Sequence, residues 1–268
     1  MSSVEHWDST FPLLRLNGGG ARDFLQGQTT ADLRSTPEGE LQQSCWLTAT
    51  GRLRALLELR LDPEGADVLV LAGDADALVA GFDQVIFPAD RVRLGERRLQ
   101  RRIQPLRTDT APIWILPDDS LPKAMKDSNA LDPSAVERWR LKQGFPPGAG
   151  ELGADTNPFE LGLAKRISLD KGCYLGQETM AKLAGKGGVK QQLRCWRSST
   201  PLQTGDRLMA NDERAGVVTS VLALLDHEWI GLALIRRQHL ARHELQAPNG
   251  QTVAIKRPER FQDPPSPA

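Results

Sequence analysis

The chain has few cysteines, a single tyrosine and no net charge, and each scarcity closes off a class of function. Its three cysteines, Cys45, Cys173 and Cys195, form no Cys-x-x-Cys pair. That excludes a disulfide framework and indicates a reducing compartment. It also falls short of the four thiolates that hold an iron–sulfur cluster. The 34 basic and 34 acidic residues cancel, so whole-molecule electrostatics favour no polyanionic partner and argue against direct nucleic-acid binding. The apolar run from Ser220 to Ile235 is broken by Asp226, His227 and Glu228, so no membrane partner is expected. The first eight residues show neither a basic-apolar leader nor arginine-rich transit character, and the expected location is cytoplasmic. Gly185-Lys-Gly-Gly-Val-Lys190 lacks the Gly-x-x-x-x-Gly-Lys-Ser/Thr pattern of a phosphate loop and reads as a link. His239 and His243 have the spacing of one helical face but no third ligand nearby, so no metal is expected.

What is present is ordinary for a globular protein: 40% apolar and 25% charged residues, in a chain long enough for two or three lobes. Residues 13 to 16, 40 to 47, 52 to 61, 67 to 71, 91 to 94 and 113 to 116 read as strands. Residues 21 to 26, 74 to 82 and 133 to 142 read as helices, and 28 to 33 as the start of another. Residues 164 to 170 alternate at Ile167 and Leu169 as a half-buried strand does. After Gln191, short strand-like runs between Gly, Asp and Asn turns predict a small antiparallel barrel or sandwich. Seven arginines and one glutamate between Arg91 and Arg107 read best as a solvated sheet face.

The densest chemistry lies in Lys171-Gly-Cys-Tyr-Leu-Gly-Gln-Glu178, which contains the chain's one tyrosine. Gly172 and Gly176 permit a bent backbone, and a helix is expected after Glu178. A thiol at Cys173 would then sit on a corner between strand and helix. The Lys171 ammonium and the helix dipole would both favour its thiolate. Tyr174, Gln177 and Glu178 add a hydroxyl, an amide and a carboxylate.

This octapeptide resembles the signature of the YgfZ family, folate-binding relatives of the glycine-cleavage T-protein (aminomethyltransferase). Three further stretches match in order. Phe24-Leu-Gln-Gly-Gln-Thr-Thr-Ala-Asp32 is similar to an N-terminal pattern shared with the T-protein. Leu47-Thr-Ala-Thr-Gly-Arg52 is similar to the strand-turn element that follows. Arg140-Leu-Lys-Gln-Gly-Phe-Pro146, Glu151 and Asn157-Pro-Phe-Glu-Leu-Gly-Leu163 resemble a third conserved segment. Residues 100 to 135 align with no motif, and Asp90 is only a positional candidate for the T-protein's catalytic aspartate.

The resemblance implies an α+β, three-domain, T-protein-like ring. An N-terminal folate-binding lobe is expected over 1–104, a second lobe carrying the octapeptide over 105–190 and a β-barrel over 191–262, with a disordered tail at 263–268. It implies a tetrahydrofolate cofactor, or a one-carbon derivative of it. Gln26, Gln28 and Thr29 would read the pterin edge, Trp46 would wall the slot and Arg140 would meet a carboxylate. The implied role is an accessory one in iron–sulfur cluster assembly or maintenance, with an indirect effect on iron–sulfur-dependent tRNA modification. Partners would be iron–sulfur proteins or cluster-assembly factors. In that role Cys173 is the essential thiol, with Lys171 beside it and Gly172, Tyr174, Gly176, Gln177 and Glu178 completing the motif. A folate-dependent aminomethyl or methyl transferase or demethylase is the alternative, and the missing catalytic acid leaves enzymatic activity open.

Overall fold

The computed structural model describes residues 4–106, 110–185, 188–225 and 227–265. Its strands are β1 (Glu5–Asn17), β2 (Leu41–Leu47), β3 (Leu53–Asp62), β4 (Gly65–Gly73), β5 (Arg93–Pro105), β6 (Ile113–Ile115), β7 (Asn129–Ala130), β8 (Gln191–Ser198), β9 (Arg207–Ala210), β10 (Glu213–Ala223), β11 (Trp229–Arg236), β12 (Glu244–Gln246) and β13 (Thr252–Lys256). The helices are α1 (Ala21–Gln28), α2 (Ala75–Asp83), α3 (Pro133–Gln143), α4 (Ala149–Gly153) and α5 (Gln177–Gly185). The fold is mixed α/β and divides into two compact units. One comprises Met1–Trp46, Ala55–Val136 and Lys171–Tyr174; the other comprises Leu47–Arg54, Glu137–Asp170 and Leu175–Ala268.

The first unit is organised by a sheet of order β2-β3-β4-β1-β5-β6, with β7 pairing in parallel with β1. β1 is the hinge of the pairing: Leu13 faces Leu69 on β4, and His6 faces Pro105 on β5. Alternation along the strands sends Leu57, Leu59, Val68 and Val70 to one face. There they pack with Phe24 and Leu25 of α1 and Leu78 and Phe82 of α2. Phe82 stands edge-on to both Phe24 and Trp46, with centroids 5.2 and 5.9 Å away. Truncating such a fully buried ring costs about 3–5 kcal/mol. α2 begins cleanly because the Asp74 carboxylate accepts from the backbone N–H of Asp76 (2.8 Å) and Ala77 (3.1 Å), a cap worth about 1 kcal/mol.

The same alternation turns Glu58 to the opposite face, where it is fully buried. Arg102 meets it with two parallel hydrogen bonds, Nε to Oε1 at 2.8 Å and Nη2 to Oε2 at 2.9 Å. Trp114 Nε1 and Gln43 Nε2 donate to the same carboxylate at 2.7 and 3.1 Å. Arg97, Arg98 and Arg101 pair with Asp76, Asp67 and Asp8. The arginine-rich stretch is therefore not a uniformly solvated face: β5 carries its cations onto carboxylates contributed by other segments. Arg107 lies outside the described residues.

The second unit contains a closed antiparallel barrel of order β10-β11-β8-β13-β12-β9, closed by pairing of β9 with β10. Trp196, Leu208, Val218, Ala233, Ile235 and Val253 fill its interior. The barrel expected from the turn spacing is present, with two short strands, β9 and β12, added. The alternating stretch 164–170 is not a strand. Ala164–Arg166 forms a single 3-10 turn and the chain continues irregularly to α5. Residues 29–33 form no helix either: Thr29 turns to extended backbone (φ −127°, ψ 168°) and ends α1, its hydroxyl donating to the Leu25 carbonyl. His239 closes a 3-10 turn at Arg237–His239, and His243 lies beyond it, so the two share no α-helical face. Part of the basic link at 185–190, residues 186–187, and tail residues 266–268 lie outside the described residues. No helix among the described residues is long and apolar enough to cross a membrane.

Candidate functional site

The octapeptide is anchored by residues on both sides of its cysteine. Lys171 is buried, and its Nζ donates to the carbonyl oxygens of Thr29 at 2.7 Å and Ala31 at 2.6 Å. Desolvation lowers the Lys171 pKa to about 8, against the opposing pull of Asp32. The ammonium also lies 5.1 Å from the centroid of the Tyr174 ring. Tyr174 is buried too, and burial raises its phenol to about 12, with Cys45 adding to the shift. Its Oη is one of three buried side-chain polar atoms without a hydrogen-bond partner among the described residues. Between these two fixed side chains, Gly172 and Cys173 are exposed.

The receiving segment, residues 29–33, is itself held on β2. Thr29 bridges to Trp46, Thr30 N donates to the Cys45 carbonyl, and Ala31 N donates to Ser44 Oγ. The Gln26 side chain closes the turn: its Nε2 donates to Asp32 Oδ1 (2.9 Å) and its Oε1 accepts from Leu33 N (2.7 Å). The Arg34 guanidinium, helped by these bonds, holds the Asp32 carboxyl down at about 2. Asp32 is the site residue missed by sequence reasoning, although it ends the Phe24–Asp32 match and a carboxylate in a Thr-Thr-Ala-Asp turn commonly bonds locally.

Lys171 is thus a buried side chain and not a surface charge, with its ammonium donating to two backbone carbonyls. Gly172 is also not demanded by the backbone: it has no left-handed φ, and a Cβ there would meet nothing within 4 Å. Gly176 is different. Its φ is +84°, and a Cβ would stand 2.8 Å from the Thr48 carbonyl oxygen and 3.3 Å from Gly51 Cα. Gly51 has φ +75° and its own Cβ would strike Thr179 at 2.8 Å. The turn of Leu47–Arg52 and the start of α5 thus meet backbone to backbone through two glycines. Gln177 and Glu178 open α5, with Glu178 exposed in its first turn, where a carboxylate complements the helix dipole.

Of the residues expected to contact folate, Thr29 and Trp46 are buried, one capping α1 and the other packing on Phe82. Gln26 is engaged at both ends of its amide. Arg140 meets carboxylates, but they are the protein's own: Glu137 at 2.7 Å and Glu151 at 3.1 Å, with Ser220 Oγ also accepting. Burial works against the Arg140 charge, and the two carboxylates outweigh it, so its pKa is raised. Gln28, half-buried at the end of α1, is the member of this set whose side chain makes no hydrogen bond among the described residues. Asp90, the positional candidate for a catalytic acid, accepts from Phe87 N at 2.7 Å and caps a 3-10 turn.

The three thiols differ sharply. Cys45 is buried, and Cys195 is half-buried, donates to the Leu141 carbonyl at 3.2 Å and is pushed by burial to about 12. Cys173 alone is exposed. Exposure and an anchored backbone on both flanks give it the accessibility that thiol exchange requires.

No protein-family model matches the chain. Among curated proteins it is 26% identical over 259 residues to a chloroplastic "putative transferase" of Arabidopsis thaliana, covering 79% of this chain and 60% of that protein. The chain therefore spans less than two thirds of the length of that relative. It is 26% identical over 237 residues to the "tRNA-modifying protein YgfZ" of Colwellia psychrerythraea, covering 74% of this chain and 73% of the relative. An uncharacterized protein of Haemophilus influenzae is 23% identical over 243 residues, covering 84% and 86%. Among solved structures, the glycine cleavage system aminomethyltransferase T from Bartonella henselae superposes with a TM-score of 0.72 at 15% identity, over 100% of this chain and 88% of that one.

Proposed function

Starting from a chain related to the YgfZ proteins and built on the aminomethyltransferase T fold, we propose that it binds tetrahydrofolate or a one-carbon derivative and supports iron–sulfur proteins through Cys173. Its effect on tRNA modification would then be indirect, through iron–sulfur enzymes that act on tRNA. The reading places it in a reducing compartment such as the cytoplasm, with iron–sulfur proteins or their assembly factors as partners. The observation that carries it is the exposure of Cys173 on a segment whose two neighbouring side chains, Lys171 and Tyr174, are buried.

The residues fit a reduced pterin in two respects. The Gln28 amide makes no hydrogen bond among the described residues, and an amide can donate and accept along the pterin's own amide-like edge. The buried Tyr174 hydroxyl has no partner among the described residues, a cost of about 1–3 kcal/mol that a ligand or water within reach would remove. When bound, tetrahydrofolate would supply a one-carbon carrier. The protein's own contribution is to present the Cys173 thiol, which would ligate iron in transit or take the outer sulfur of a partner's persulfide, the partner's thiolate leaving, and return it to an acceptor thiolate by the reverse exchange. Lys171 and Tyr174 act as positioning residues.

The test is complementation. In cells lacking the endogenous activity, Cys173→Ala should abolish support of iron–sulfur enzymes while purified protein keeps its tetrahydrofolate affinity. Full support by that variant would remove the thiol from the mechanism. Calorimetric titration that detected no tetrahydrofolate binding at millimolar ligand would remove the folate half.

A second reading, a folate-dependent one-carbon transferase, is favoured by the transferase name of the Arabidopsis relative and by the fold. It needs a carboxylate beside the reacting carbon. Turnover of a methyl or aminomethyl donor by wild-type protein, lost in Asp90→Asn, would select it.

A further inference from the structure

A cavity of about 530 Å³ opens on the second unit, beside α3 and the barrel, and is lined by none of the residues assigned above to the thiol or to folate. That volume lies within the range of small-molecule sites. Its floor is apolar: Leu141 of α3, Leu224 after β10, Ile230 of β11 and Ile255 of β13. Its rim is cationic. Arg138, Lys142, Arg197, Lys256 and Arg257 line it, against two carboxylates, Glu228 and Glu259.

Most of these charges are already matched. Lys142 pairs with Glu259 at 2.9 Å, Arg197 pairs with Glu228, and Arg257 pairs with Asp263 at 2.8 Å. Arg138 and Lys256 remain: both are exposed, and neither side chain makes a hydrogen bond or ion pair among the described residues. Lys256 is felt electrostatically by Glu259, yet its ammonium donates to none of the described residues, and an apolar floor beneath such a cationic rim is complementary to one kind of molecule.

We propose that this cavity is a binding site for a small amphipathic anion, an aromatic or branched apolar body carrying one carboxylate, sulfonate or phosphate. The body would cover Leu224, Ile230 and Ala254, removing apolar surface from water. The anionic group would take the free hydrogen bonds of Arg138 and Lys256. The site is independent of the tetrahydrofolate reading and stands or falls separately.

The probe is 8-anilinonaphthalene-1-sulfonate, with uncharged N-phenyl-1-naphthylamine as its control, followed by fluorescence titration of the full chain. The wild-type protein should bind the sulfonate at one saturable site. The double variant R138E/K256E should weaken it by at least about tenfold and change the neutral probe by less than about twofold, since only the charged contacts are lost. Both positions are exposed, so unchanged melting would show that the fold is intact. A second variant, A254W, fills the cavity from β13 and should abolish binding of both probes. Saturating tetrahydrofolate should leave the bound sulfonate in place. Unchanged sulfonate affinity in both variants, or competitive displacement by tetrahydrofolate, would overturn the proposal.

Discussion

Lys171 Nζ donates to the Ala31 carbonyl oxygen at 2.6 Å across 140 residues of chain. With the matching bond to Thr29, this contact ties the octapeptide to the Phe24–Asp32 segment. The two stretches that most resemble the YgfZ family thus meet through one buried ammonium. The lysine beside the cysteine anchors the backbone that carries the thiol.

Lys171→Met should therefore cost about 2–4 kcal/mol, because it strips a charge-assisted donor from two carbonyls. Urea unfolding would measure it, with the far-UV spectrum as a check on the fold. The same variant exposes a pH dependence. The folded amine titrates near 8 and the unfolded one near 10.5. Below pH 8 both states hold the proton. Between 8 and 10.5 the unfolded chain holds it and the folded chain does not, so raising the pH favours folding, by up to roughly 3 kcal/mol. The wild-type chain should gain stability relative to Lys171→Met across that window. A flat difference would show that the buried amine keeps an ordinary pKa.

Thiol labelling should be selective. Brief treatment of native protein with iodoacetamide at neutral pH should modify Cys173 first, since Cys45 is buried and Cys195 is held as a thiol by a pKa near 12. Peptide mass mapping reads the order. Cys173→Ser should abolish the fast phase and, at an exposed position, change stability by less than about 0.5 kcal/mol.

Gly176→Ala and Gly51→Ala should each destabilise the protein by about 1–3 kcal/mol, from positive φ combined with contact at 2.8 Å. Gly172→Ala should cost little, since open space surrounds that position. Thermal melts of the three variants would separate the glycines that the fold requires from the one it does not. Equal losses at 172 and 176 would contradict this assignment.

The barrel was legible because its turns carry Gly, Asp and Asn at short intervals, a local signal. β9 and β12, four and three residues long, are below the length at which alternation declares itself. The motif's place in the chain was legible too, but its electrostatics were not. Adjacency in sequence put Lys171 beside the thiol, whereas a contact over 140 residues decides where its ammonium lies. Ile167 and Leu169 alternate like a strand, yet strands form only where a neighbour supplies hydrogen bonds, and no strand pairs there. Arg140 kept its expected chemistry and changed its partner: the carboxylates it binds come from Glu137 and Glu151.

The Arg102–Glu58 pair offers the sharpest energetic test, because both residues are almost wholly buried. Arg102→Met would leave the Glu58 carboxylate with only Trp114 and Gln43 as donors, and an uncompensated buried charge costs about 3–5 kcal/mol. Removing both charges in Glu58→Met, Arg102→Met eliminates that penalty along with the attraction, so the double variant should be more stable than Arg102→Met alone. The coupling between the two positions should be about 2 kcal/mol or more, from a double-mutant cycle of urea midpoints. A double variant as unstable as the sum of the singles would mean that β5 and β3 are held by packing alone and that the ion pair contributes nothing.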